Sequence, residues 1–506
     1  MKKWTFLKNA LIMTLTSLIL RTVGIFFRVY LSDKIGAEGM GLYQLIFSLY
    51  VLATTLATAG IPIAVTRLIS ESPTADRRTV RRILRRTVGV SVLVGLAAFA
   101  ALFFGSDFIS AVFLHDERAA LPLRILSFGL PCMSAAACFK GYFIARRRVK
   151  SSSAALLFEQ TVRMGLIFFL LGRYAPRGIA AACAAVVVGN AVSEAASTLY
   201  LFAAYRRDCR TIPAGGAPAR SPILRKFAQI ALPIAAGSWL NSLLRTIENL
   251  LVPDRLAVHT GSKEMGLSQF GMLKGMAMPL LFFPSSFLNS LSTLLVPEIS
   301  EANVRRQDAK LHRTISRAIH ITLSISVLLG ALFCVYAYPL GQLLYKSDEV
   351  GFLLSVLAPI MPLIYLENII DGILKGLNQQ VSSLRYSLLD SASRIALIAL
   401  IVPHEGIKGF LLVMIVSNLL TCFLNARRLF VVTGLPIRWG KWFCKPVLSA
   451  LTAALLTRLT FGVEPLQSLP AFASMVLGAL MLSALYALCL WITGGVRRDD
   501  LAPVRR

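Results

Sequence analysis

The stretch SLILRTVGIFFRVYLSDKIGAEGMGLYQLIFSLYVLATTLATAGIPIAVTRLISE, residues 17–71, decides how the chain is read. It opens as an apolar helix carrying Arg21 and Arg28, turns through a short polar hairpin (Asp33, Lys34, Gly36, Gly39, Gly41) and returns as a second apolar helix ending at Arg67. An arginine inside a helix of membrane length costs about 2.5–3.5 kcal/mol at the bilayer centre even on lenient insertion scales. Something must therefore face those arginines.

The stretch recurs further along. Leu20-Arg21-Thr22 returns as Leu244-Arg245-Thr246 (245 − 21 = 224), and Met40-Gly41-Leu42-Tyr43-Gln44 returns as Met265-Gly266-Leu267-Ser268-Gln269 (265 − 40 = 225). Lys140-Gly141 matches Lys375-Gly376 (375 − 140 = 235), and Glu159 with Arg163 matches Asp390 with Arg394 (390 − 159 = 231). Registers drifting so little mark an internal repeat.

Composition says what solvent the repeat sits in. Of 506 residues 56% are hydrophobic and 15% charged, against about 25% charged in soluble domains, and mean hydropathy is +0.68. Runs of roughly 20 mostly apolar residues, the length that spans a bilayer, number about fourteen. The formal charge of +28 would suggest nucleic acid in a soluble chain, but here the cations fall in alternate gaps between apolar runs and are explained by helix orientation. Basic gaps (Arg77 to Arg86, Arg146 to Lys150, Arg206 to Lys226, Arg305 to Arg317) alternate with acidic or mixed ones (Asp33, Asp116, Asp254, Asp348), so both termini are expected in the cytoplasm. Eight scattered cysteines and five histidines form no CxxC pair or ligand cluster, and no disulfide framework, zinc site or resident cofactor is expected.

The expected architecture is an all-α polytopic membrane protein. Residues 1–205 form a six-helix bundle, 206–222 a cytoplasmic linker, 223–435 a second six-helix bundle parallel to the first, and 436–506 two additional helices with a basic tail. No phosphate-cradling GxxxxGK[ST] loop or catalytic constellation is present, which argues against a nucleotide motor and against an enzyme; a polyprenyl-linked glycosyltransferase or polymerase with acidic residues in its loops is the weaker alternative.

Charged residues inside the helices are the candidate site. Ser17, Arg21, Gly24 and Arg28 recur at helical spacing, as do Asn241, Arg245 and Glu248, so matched faces would line a cationic cavity suited to an anionic headgroup, since guanidinium pairs bidentately with phosphate. The plainer alternative neutralises each arginine locally, Arg245 by Glu248 for instance, and lets Arg28 snorkel. Lys274 is a further cavity cation. Glu159 with Arg163 and Asp390 with Arg394 read equally as self-neutralising structural pairs or as substrate or proton handling, and Glu367 with Asp371 reads as a Na⁺ or H⁺ site or as a partner for Lys274 or Arg245.

The run Arg21 to Tyr30, Ile35-Gly36-Ala37-Glu38-Gly39-Met40-Gly41-Leu42-Tyr43-Gln44, Gly60-Ile61, Ala64-Val65-Thr66-Arg67 and Glu71 resembles the opening of the stage V sporulation protein B and polysaccharide-biosynthesis branch of the multidrug, oligosaccharidyl-lipid and polysaccharide exporter superfamily. Glu159-Gln160 with Arg163, and Lys375-Gly376, fit it too, and the resemblance extends over essentially the whole chain. It implies a bacterial inner-membrane flippase that moves a lipid-linked sugar or cell-wall precursor by alternating access, driven by Na⁺, H⁺ or the membrane potential. By the same resemblance Arg21 and Arg28 would meet the pyrophosphate, the two added helices would groove the lipid tail, and membrane lipids and cell-wall synthesis proteins are the implied partners, with no nucleic acid. The competing readings are a multidrug exporter of the same superfamily and a non-transporting scaffold of a cell-wall assembly.

Overall fold

The computed structural model describes residues 2–72, 76–214, 222–461 and 471–495, and every regular element among them is helical. The first half holds α1 (Lys2–Thr58), α2 (Ile61–Ser70), α3 (Arg77–Val112), α4 (Ala120–Ser127), α5 (Gly129–Ala145), α6 (Val149–Tyr174), α7 (Ile179–Cys209) and α8 (Ile223–Thr260). Then come α9 (Lys263–Phe270), a π-helical stretch Gly271–Ala277, α10 (Met278–Phe282), α11 (Ser285–Val304), α12 (Asp308–Val335) and α13 (Ala337–Tyr345). The chain closes with α14 (Asp348–Leu357), α15 (Met361–Gly376), α16 (Gln380–Thr433), α17 (Lys445–Phe461) and α18 (Ala471–Ile492).

Nine helices among the described residues are long and apolar enough to cross a membrane, and the bent pair Glu117–Ser127 with Gly129–Ala145 makes a tenth. Two of the nine are too long for one crossing. Thr16–Ser70 holds 55 residues, roughly 80 Å at 1.5 Å per residue against a hydrocarbon core of about 30 Å. It breaks at Gly36 (φ 70°, ψ −177°), and α16 breaks likewise at Gly406 (φ 58°, ψ −138°). Those breaks give 10 + 2 = 12 crossings among the described residues, and the broken run α9 to α11 and the 17-residue α17 lie where the sequence places the two further crossings it expects. The polar hairpin expected at 33–41 is thus a single left-handed residue. Only glycine takes that conformation at little cost, because it has no Cβ to strike the carbonyl.

Backbone conformation repeats along with the sequence. Gly36 (φ 70°) is matched by Gly261 (φ 71°), 225 residues on (261 − 36). His115 and Lys346 both have φ 52° (346 − 115 = 231), Arg147 (φ 56°) pairs with Asn378 (φ 64°, 378 − 147 = 231), and Gly178 (φ 107°) with Gly406 (φ 58°, 406 − 178 = 228). Each pair closes the same helix in its copy of the repeat.

The chain falls into two compact units, Met1–Ala257 with Gly261–Gly271, and Val258–Thr260 with Met272–Arg506. The boundary lies beyond the linker expected at 206–222: α8 as far as Ala257, and α9, belong with the first six crossings. Packing in the repeated motif explains this. A Cβ on Gly41 would run into the Leu267 carbonyl of α9, and one on Gly271 into the Ala37 carbonyl, so backbones approach here as closely as only small residues permit. From α8, Thr246 and Asn249 reach Ser48 of α1, the latter by an amide donated to the hydroxyl at 3.1 Å.

Each unit has its own apolar core. In the first, Val65, Leu84, Phe139, Phe143, Leu201 and Phe227 meet across α2, α3, α5, α7 and α8. In the second, Ile299, Ile315, Ile369, Ile373, Leu429 and Trp442 do so across α11, α12, α15, α16 and the π-helical stretch Gly440–Cys444. The two added helices attach to α12, where Tyr486 of α18 donates to the Ser324 carbonyl at 2.7 Å and packs with Val327, Ala450 and Ala453.

Candidate functional site

The helix faces set out above place the candidate residues as follows. On α1, Arg21 is exposed and Arg28 half-buried, with Tyr30 one turn-half further on seated against Phe168 of α6 at 5.3 Å between ring centroids. On α8, Ser242, Thr246 and Asn249 turn towards residues 48–55 of α1, which carries the intervening Arg245 out to an exposed position. Asn241 spends one amide donor on the Gly237 carbonyl of its own helix at 3.1 Å. Glu248 is buried, whereas Arg245 is exposed, and the two make no ion pair. Among the described residues no carboxylate lies within ion-pair distance of Arg28 or Arg245.

Arg163, Arg394 and Lys375 are met by carboxylates. Arg163 of α6 holds Glu159 at 2.6 Å and also Glu194 of α7 at 3.3 Å, with side-chain exposures of 23%, 11% and 9%. In the second unit Arg394 holds Asp390 at 2.5 Å, and Ser417 takes the place of the second acid, accepting from Arg394 Nε at 2.9 Å and donating to Asp390. Lys375 closes on Asp371 at 2.5 Å, and Ser383 donates to the same carboxylate. Glu367, one turn before Asp371, is half-buried. Lys274 sits in the π-helical stretch with its ammonium 5.8 Å from the Phe410 ring centroid, a separation at which the ring quadrupole attracts a cation.

Glu194 and Ser417 were not singled out in the sequence. Glu194 had a usable signal, an acid within the apolar run 178–205, since intramembrane ionisable residues default to function. Ser417 had none. Asp208 is a third such residue: buried at the end of α7, it accepts from Tyr142 at 2.5 Å and from Arg146 at 3.4 Å and pairs with Arg148. A small cavity of about 70 Å³ in the first unit, lined by Leu45, His115, Asp116, Arg118, Asp254 and Lys263 among others, contains none of the expected site residues. Arg118 is fixed there between Glu38 at 2.8 Å and Asp116 at 2.7 Å. No group of three or more histidine, cysteine or acidic residues able to hold a metal occurs among the described residues.

These features define a polytopic all-α membrane protein built on an internal repeat, with arginines inside its first and seventh crossings. The chain belongs to the polysaccharide biosynthesis protein family, whose model matches residues 6–303. It is 26% identical to the stage V sporulation protein B of Bacillus subtilis (strain 168) over 513 residues, covering 99% of this chain and 98% of that one. It is 21% identical to the lipid II flippase MurJ of the same organism over 400 residues, 74% of this chain and 73% of that one. Among solved structures, the inward closed conformation of the lipid II flippase MurJ superposes with a TM-score of 0.73 at 15% identity, over 96% of this chain and 99% of that one. An inward-facing multidrug resistance MATE family transporter of the MOP superfamily reaches 0.61 at 17% identity, over 83% and 100%.

Proposed function

We propose that this chain is a flippase that carries a polyprenyl-pyrophosphate-linked oligosaccharide or cell-wall precursor across the bacterial cytoplasmic membrane by alternating access, with both termini in the cytoplasm. The observation that carries the reading is the exposed Arg245 in the interior of a 38-residue helix, without a carboxylate within ion-pair distance among the described residues, where the remaining helix-borne pairs are closed. A cation left open at such a place is stabilised by an anionic ligand, and a lipid pyrophosphate offers bidentate oxygens that suit guanidinium. The relative and the solved structure named as lipid II flippases support that substrate class.

Glu159, Arg163 and Glu194, with Asp371 and Asp390, are the groups through which Na⁺, H⁺ or the membrane potential would drive the cycle. The multidrug exporter reading draws on the MATE fold match, but a site for lipophilic cations calls for acids and aromatics where this chain presents Arg21, Arg28 and Arg245. The test is binding of a polyprenyl-pyrophosphate sugar and of a lipophilic cation to purified wild type and to Arg21→Ala/Arg245→Ala. Loss of lipid binding by at least tenfold, with unchanged abundance and melting, is expected. Equal lipid binding by both proteins, or a preference for the cation, overturns the assignment.

A further inference from the structure

α3 opens on Arg77-Arg78-Thr79-Val80-Arg81-Arg82-Ile83-Leu84-Arg85-Arg86, six arginines in ten residues. At about 100° per residue the arginines fan across one half of the helix circumference, while Val80, Ile83, Leu84 and Thr87 occupy the other half and are buried in the first unit. Arg78, Arg81, Arg85 and Arg86 are exposed. Among the described residues none of the six has a carboxylate within ion-pair distance, although Asp76 immediately precedes them.

Neighbouring arginines of the same basic end are occupied differently. Asp208 holds Arg146 and Arg148, and Arg206 lies over the Phe202 ring at 5.3 Å. The repeat supplies a comparison as well. α12, the counterpart of α3 (308 − 77 = 231), is preceded by Arg305 and Arg306 and opens with Asp308, Lys310, Arg313 and Arg317, so the two basic gaps carry equal charge, 6 − 2 = +4 over residues 71–86 and 5 − 1 = +4 over 302–317. Insertion direction is served alike in both; what sets α3 apart is that its six cations share one half of the helix, whereas in the second gap Arg305 is paired with Glu301.

Depth says what those charges meet. α3 has 36 residues, about 54 Å, while the hydrocarbon core is about 30 Å thick. With the apolar run 88–112 in the core, the arginine stretch stands at headgroup level. We infer that this face of α3 is a binding surface for the phosphate-bearing headgroups of anionic phospholipids, independent of the cavity arginines and of the transported substrate. Guanidinium takes phosphate oxygens in pairs, and each basic residue beside an anionic surface strengthens binding about fivefold.

The test uses the full chain reconstituted in discs of phosphatidylcholine with phosphatidylglycerol as the minor component, then gently extracted, with retained phosphatidylglycerol quantified by mass spectrometry. Wild type is expected to enrich phosphatidylglycerol over its bulk fraction and to lose that enrichment in high salt. Arg81→Gln/Arg85→Gln should weaken phosphatidylglycerol binding about 25-fold and abolish the enrichment with unchanged melting, Arg81→Lys/Arg85→Lys should largely keep it, and Lys310→Gln/Arg313→Gln in α12 should leave it as in wild type. Free glycerol phosphate in excess should not compete. Wild type without enrichment, full enrichment in the glutamine variant, an equal loss in the α12 variant, or displacement by free glycerol phosphate would each overturn the inference, the last pointing to a soluble anion and full enrichment in the glutamine variant to an acidic protein partner.

Discussion

Replacing Arg163 by methionine isolates the electrostatics of the first unit, because volume is nearly kept while the charge between two buried acids is removed. The 2.6 Å and 3.3 Å separations to Glu159 and Glu194 correspond to gross attractions of about 6 and about 5 kcal/mol at an effective dielectric of about 20. Repulsion between the two carboxylates and the desolvation of all three groups offset most of this. Removing one partner of a buried pair nevertheless costs about 3–5 kcal/mol, since the remaining charge is stranded. Arg163→Met is therefore expected to melt well below wild type in detergent, followed by intrinsic fluorescence, and adding Glu194→Gln should recover a large part of the loss. Arg394→Met should cost less, because it strands one acid rather than two and Ser417 still donates to Asp390. An Arg163→Met protein that melts with wild type, or a Glu194→Gln addition that recovers nothing, would refute the assignment of the triad as a mutually compensating cluster.

Three further outcomes follow from the geometry. Gly41→Ala drives a Cβ into the Leu267 carbonyl and should cost roughly 1–3 kcal/mol, read as a lowered melting temperature, whereas Gly24→Ala, with open space around it, should be neutral or slightly stabilising. Asn378→Gly relieves a left-handed residue and should stabilise by up to about 1 kcal/mol. Asp208→Ala removes the acceptor shared by Tyr142, Arg146 and Arg148 and should cost about 3 kcal/mol, while Glu71→Ala, at an exposed pair with Arg67, should change melting little.

Much of this fold was legible because the membrane simplifies the grammar. An apolar run of sufficient length is a crossing, and the recurrences of Arg21 at Arg245 and of Gly41 at Gly266 exposed the repeat. The pairs Glu159 with Arg163 and Asp390 with Arg394 could be seen because they lie one helical turn apart. What escaped depends on which helices touch. Glu194 lies 31 residues from Arg163 (194 − 163), and only the packing of α6 on α7 reveals it as that arginine's second acid. The grouping of α9 depends on packing in the same way: close backbone approach at Gly41 and Gly271 draws it to the first compact unit. The polar segment 33–41 suggested a loop, but a lone glycine reverses the helix and leaves its polar neighbours helical.

The left-handed turns carry a historical record. His115 and Lys346 share a φ of 52° and Arg147 and Asn378 lie within 64 − 56 = 8° of each other, although the residue types at these places differ. A change of residue there is tolerated at a modest energetic cost, whereas a change of hand would send the next helix astray. Torsion angles have consequently outlasted the letters that encode them. The two halves of a duplicated ancestor can be aligned by chirality at their reversals, at positions where comparison of residue types finds no kinship.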